Sequence, residues 1–157
     1  MSVTTIPLIR AQLISVLEAA TPTRLTNFKF RRAEKRVPLA EWTTKNSGKM
    51  RSFDIFQLST GVELEHIHPT QVMRSEPFSI AVLYPRLTGL AGTDDLDSLR
   101  DTQREDARVI RDTVFKPSNY LSGVCLMEPP VASFSEDGEV WLSVFDFTIT
   151  FYEAQTL

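Results

Sequence analysis

The chain has 157 residues, 42% of them hydrophobic and 24% charged, with a net charge of −3 at pH 7. That length suits one domain, residues 1–157, able to bury roughly 70% of the surface its unfolded form would expose, so neither disulfides nor a structural metal is needed to hold a core. The composition excludes a disordered chain, no apolar run approaches the about 18 residues of a membrane span, and the single cysteine, Cys125, has no partner for an internal disulfide.

The opening MSVTTIPLIR lacks the basic start and continuous apolar stretch of a secretory signal, so a reducing cytoplasm is the expected place of synthesis. Residues 8–20 then set Ile9, Leu13, Val16, Leu17 and Ala20 at helical spacing, with Pro7 tolerated in the first turn and Thr21-Pro22 as a stop. This predicts an amphipathic N-terminal helix.

Residues 23–50 show no sustained period. A candidate strand at 25–31 gives way to polar, basic sequence ending in the turn-like Lys45-Asn46-Ser47-Gly48, so a basic extended arm or loop is expected over about 23–51. Residues 24–51 hold nine Lys or Arg against Glu34 and Glu41, a local charge of +7 against −10 in the rest, a split by which the two parts attract each other or another copy. Arg24, Lys29, Arg31, Arg32, Lys35 and Arg36 are either a solvated surface or a contact for another protein or for DNA phosphates passing nearby. Trp42, an aromatic in a polar stretch, is suited to anchor an interface or to tuck back onto the core. The chain carries no zinc-finger spacing and no RNA-binding signature, which argues against sequence-specific nucleic-acid recognition.

Two runs rich in β-branched and aromatic residues follow, SFDIFQLS at 52–59 and FSIAVLYP at 78–85, bounded by Gly61, Pro77 and Pro85, and both read as strands. A helix is predicted from Thr93-Asp94-Asp95 to about residue 115, with acids in its first turn, Pro117 beyond its end, and Leu96, Leu99, Ala107, Ile110 and Val114 as its apolar stripe. Asp97, Asp101 and Glu105 stand three residues before Arg100, Arg104 and Arg108. They form either a solvated, self-paired helix face or a charged stripe that meets the basic segment of an adjacent subunit.

Residues 118–123 are a connector, 124–134 are strand-like but interrupted by Pro129-Pro130, and Ser135-Glu136-Asp137-Gly138 forms the turn of a hairpin into the final run. That run, VWLSVFDFTITFY at 140–152, puts Trp141, Phe145, Phe147, Ile149 and Phe151 on one parity, with Ser143, and Val140, Leu142, Val144, Asp146, Thr148, Thr150 and Tyr152 on the other. At roughly 3.3 Å per residue it would span about 40 Å, so part of it is expected to project past the chain's own core and complete a sheet with a neighbour through Val140, Leu142 and Val144. The order of elements defines an α+β class with a mostly antiparallel sheet, flanked by an N-terminal helix and a central charged helix.

Candidate chemistry is sparse. His66-Ile67-His68 would place two imidazoles on one face of a regular strand, as a metal pair needs, but Glu63 and Glu65 have the opposite parity and there is no other histidine. The expectation is therefore no metal, no cofactor and no enzyme, with a small metal-dependent enzyme using His66 and His68 as the remote alternative. Cys125 lies in the apolar GVCLM and is expected to be a buried, inert thiol. Phosphate-binding glycine loops and the Gly-x-Ser-x-Gly elbow are absent from the sequence.

Taken in order, the helix with Ile9 to Ala20, the basic region, the strands SFDIFQLS and FSIAVLYP, the charged helix after Asp94 and the closing hairpin ending VFDFTITFYEA resemble the tail-terminator proteins of long-tailed bacteriophages. The resemblance covers most of the chain, rests on organisation, and transfers no signature residue. It implies a small virion subunit, assembled in the host cytoplasm, that forms a six-membered ring (a homo-hexamer) at the head-proximal end of the tail tube, stops tube polymerisation and joins the tail to the neck. The partners so implied are further copies of the chain, the tail-tube protein and a neck or head-completion protein, with DNA close by in the channel. A head-completion, neck or baseplate structural protein would share nearly all these features.

Overall fold

A computed structural model of the chain describes residues 2–57, 61–68, 70–86, 95–128, 130–135 and 140–154, with the side chains of 62, 65–68 and 135 excepted. The first helix, α1 (Ile6–Ala19), begins where the Thr5 side chain accepts a hydrogen bond from the Leu8 N–H at 3.4 Å and where Pro7 sits in the first turn. It ends as Ala20 turns extended. Ile9, Leu13 and Leu17, one turn apart, are its buried stripe.

Two antiparallel strands of 15 residues, β4 (Gln71–Pro85) and β7 (Val140–Ala154), pair along their whole length, from Gln71 opposite Ala154 to Pro85 opposite Val140. The final run therefore does not overhang the core, as its length led us to expect, because an equally long strand of the same chain accompanies it. That partner was read as residues 78–85 only. Its first half, QVMRSEP, is polar and contains Pro77, which normally excludes a central strand. Pro77 is tolerated because it falls in a gap on the outer side of β4: β3 (Val62–His68) pairs with Gln71 to Ser75, and β2 (Ser52–Phe56) pairs with Ser79 to Val82.

The same division of labour occurs on the outer side of β7. There β6 (Val131–Ser135) pairs with Leu142 to Asp146, and β5 (Val124–Met127) pairs with Ile149 to Phe151, the two strands lying on either side of Pro129-Pro130 in the sequence, of which Pro129 is outside the described residues. Antiparallel pairing of β6 with β7 gives the hairpin expected there; Gly138 lies outside the described residues. A two-residue strand, β1 (Arg31–Arg32), adds a parallel edge to β2. The two gaps coincide at Pro77 opposite Thr148 and Phe78 opposite Phe147, so the sheet, seven strands among the described residues, has a waist where no described outer strand pairs and the Glu128 N–H donates to the Thr148 carbonyl at 3.0 Å.

The helix α3 (Leu96–Val114) starts at the capping Asp95 and lies with α1 on one sheet face. Beneath them β7 contributes Trp141, Ser143, Phe145, Phe147, Ile149 and Phe151, all buried, and β4 contributes Phe78, Ile80, Val82 and Tyr84. At the waist, Phe78 and Phe147 stack at 6.1 Å, and Phe115 meets Phe147 edge-on at 4.9 Å. Of the predicted α3 stripe, Leu99, Ala107, Ile110 and Val114 are buried, whereas Leu96, in the first turn, is exposed.

The segment over 23–51 is not an extended arm. Phe28, Phe30 and Met50 pack into the core beneath the helices, while α2 (Leu39–Lys45) lies on the other sheet face and brings Trp42 against Ala33, Ala81 and Leu83, with Phe56, Val140, Leu142 and Val144 around them. Trp42 is fully buried, so it anchors this segment to its own sheet and not to a partner's surface. The change from apolar to polar along the second parity of β7 has the same origin, since Val140, Leu142 and Val144 lie in the cluster with Trp42 while Asp146 is exposed.

Candidate functional site

Arg51 organises the basic segment from inside. Its backbone adopts a left-handed φ of 59°, and its side chain is fully buried. All five guanidinium N–H groups are used: Nε and Nη2 donate to the Asp106 carboxylate at 2.6 and 2.9 Å, Nη1 donates to the carbonyls of Leu25 and Phe28, and Nη2 also donates to the Arg24 carbonyl. The Tyr84 hydroxyl donates to Asp106 Oδ2 at 2.8 Å. Burial pushes the Asp106 carboxyl above its ordinary value against the opposing pull of Arg51, and burial, then the neighbouring Asp106, holds the Tyr84 phenol well above its own. With every donor matched, this is a clasp that ties the 24–28 loop to α3 and β4.

Outside the clasp, two walls face each other across a cleft of about 830 Å³. One is residues 27–35 and the other residues 45–52. Asn46 ties them together: its Oδ1 accepts from the Lys35 N–H, and its Nδ2 donates to the carbonyls of Lys35 and Trp42. The cleft is lined by Lys29, Arg31, Arg32, Lys35, Lys45 and Lys49 against the single carboxylate of Glu34. Three of these cations are paired, Arg31 with Glu18 at 3.6 Å, Arg32 with Asp54 at 3.1 Å, and Lys49 with Glu34, whose carboxyl is held below its ordinary value chiefly by that hydrogen bond. Lys29, Lys35 and Lys45 are exposed and form no ion pair among the described residues.

The edges of the sheet differ in character. On the β5 and β6 side, Leu126 is 51% exposed, Val131 68% and Phe134 44%. The other side carries β1 with its two arginines at one end and β3, with exposed Leu64, at the other. Near the β3 end Arg74 stands among Glu63, Glu76 and Glu153 at 3.4 to 3.9 Å.

Of the residues singled out from the sequence, Arg31, Arg32 and Lys35 meet in the cleft, while Arg36 is exposed but does not line it. Asp97 and Asp101 are exposed on α3. Asp97 pairs with Arg100 at 3.7 Å and Glu105 with Arg108 at 3.5 Å, so part of this face is self-neutralised. Val140, Leu142 and Val144 are half-buried by the chain's own second cluster. Cys125, expected in the core, is exposed, because β5 is an edge strand whose register shifts between Val124 and Leu126. The side chains of His66 and His68 lie outside the described residues; along the backbone, the ladder shifts register between them, so the regular alternation assumed for a metal pair does not hold there. No group of three or more His, Cys, Asp or Glu among the described residues is placed to hold a metal ion.

The clasp escaped sequence reasoning because its partners are 55 residues apart. One signal was present: Gln103 and Asp106 fall on the buried helical stripe between Leu99 and Ile110, and a polar residue there calls for an internal partner. Gln103 has one as well, donating to the Ser143 hydroxyl at 3.0 Å.

No family model matches the chain, and no curated protein matches it. Among the described residues, no helix is long and apolar enough to cross a membrane.

Proposed function

We propose that the chain is a structural subunit of a long-tailed phage virion, a tail terminator that assembles with further copies into a ring at the head-proximal end of the tail tube. The observation that carries this reading is the pair of unlike sheet edges. Leu126, Val131 and Phe134 stay exposed on short outer strands, and such an apolar edge is a template for another chain. A head-to-tail ring needs two different complementary patches on one subunit, and the opposite edge, with Leu64 on β3 and the arginines of β1, differs from it in charge. The exposed Asp97 and Asp101 of α3 add charge by which a neighbour's register is set.

Native mass spectrometry of the full chain, alone and mixed with polymerising tail-tube protein of the same genome, tests this. A six-copy species or capped tubes of limited length is the expected result. A persistent monomer that leaves tube growth unchanged overturns it and favours a neck or head-completion component.

A further inference from the structure

We infer that the cleft between residues 27–35 and 45–52 is a binding site for the phosphates of duplex nucleic acid, read without regard to sequence. The inference rests on the cleft and not on ring assembly.

The chain as a whole is acidic, yet six cations and one carboxylate converge on a single concave surface. Like charges brought this close repel, and a fold tolerates them where an anion is to be bound. Which cations are already paired decides which are free for an anion. Arginine's planar fork suits carboxylates and phosphates alike, but both arginines of the cleft already hold a carboxylate, Glu18 for Arg31 and Asp54 for Arg32. The uncommitted charges are the ammonium groups of Lys29, Lys35 and Lys45, mobile point charges of the kind that follow a phosphate backbone. Phe28, the aromatic in the lining, is packed against the main core, which leaves charge and not base stacking as the means of recognition.

The walls are built to hold this arrangement. Arg51 grips the carbonyls of Arg24, Leu25 and Phe28 just ahead of Lys29, and Asn46 pins the backbone of Lys35 next to Lys45. Arg51 and Asn46 are thus positioning residues, and the three lysines are the contact groups.

The test is fluorescence anisotropy of a short dye-labelled DNA duplex of mixed sequence, titrated with the full chain. If three phosphates are neutralised, affinity falls roughly 40-fold between about 50 and about 200 mM salt. The Lys29→Gln/Lys35→Gln/Lys45→Gln variant should lose about one unit of that log–log slope per lysine, while the arginine triple, which keeps the charge, should bind like the parent. Lys116→Gln, outside the cleft, should change nothing. All three lysines are exposed, so near-ultraviolet circular dichroism of both triples is expected to match the parent. Absence of salt-sensitive binding, an unchanged slope in the glutamine variant, or lost binding in the arginine variant overturns the inference. So does displacement of the duplex by inorganic phosphate at equal phosphate concentration, which marks a small-anion site, or tighter binding of poly-glutamate, which marks a site for an acidic protein.

Discussion

Arg51 and Asp106 form a two-pronged ion pair in which both side chains are fully buried, and every remaining guanidinium donor is spent on a backbone carbonyl. Removing one member strands the other charge inside the protein. Arg51→Met is expected to cost about 3–5 kcal/mol in urea denaturation, whereas Arg51→Met with Asp106→Leu should cost clearly less than the two single changes added together. Strict additivity would mean that the pair is not coupled.

Tyr84 gives the clasp a pH signature. In the folded chain its phenol is held well above the ordinary value of 10.0, first by burial and then by Asp106. The folded state keeps this proton while the unfolded chain releases it, so the stability it confers is complete below about pH 10 and is lost as the pH rises beyond that. Tyr84→Phe should cost about 1 kcal/mol at neutral pH and show a shallower loss of stability in alkaline melts than the parent. Parallel alkaline curves would contradict this.

Asn46 makes three hydrogen bonds with one amide. Asn46→Ala should lower stability by about 1–3 kcal/mol and raise hydrogen exchange across residues 35–46, with exchange in α1 unaffected.

At the waist, Phe147 touches both Phe78 and Phe115 where no described outer strand pairs with β4 or β7. Phe147→Ala is expected to cost about 3–5 kcal/mol by chemical denaturation. A loss below about 1 kcal/mol would show that the site collapses without the ring.

On the β6 edge, Val131→Asp and Phe134→Asp should leave monomer stability within about 0.5 kcal/mol, as both side chains are exposed, while abolishing higher-order assembly in analytical ultracentrifugation. Assembly that survives both charges would move the interface elsewhere.

The α+β class and its mostly antiparallel sheet were legible because β7 alternates so strictly that each odd residue from Trp141 to Phe151 is buried, and α1 shows its stripe at helical spacing. β4 was half-visible, since Pro77 and the polar residues around Arg74 and Glu76 mask a strand whose support comes from β7 and not from its own composition. Trp42 and Arg51 were hidden for a related reason: the meaning of a lone aromatic or a lone arginine depends on which distant residues the chain brings to it. The lysines of the cleft stood out as charge, but nothing in their order along the chain reveals that two walls fold to face one another.

Backbone twist is largest where a β-ribbon is only two strands wide. In this chain that place is the waist at Phe78 and Phe147, and on either side of it the outer strands change from β3 and β5 to β2 and β6. The two ends of the sheet therefore share one continuous β4–β7 ladder but carry separate outer strands. A change in angle between the two ends would fall on the stretch of β4 and β7 that no described outer strand flanks.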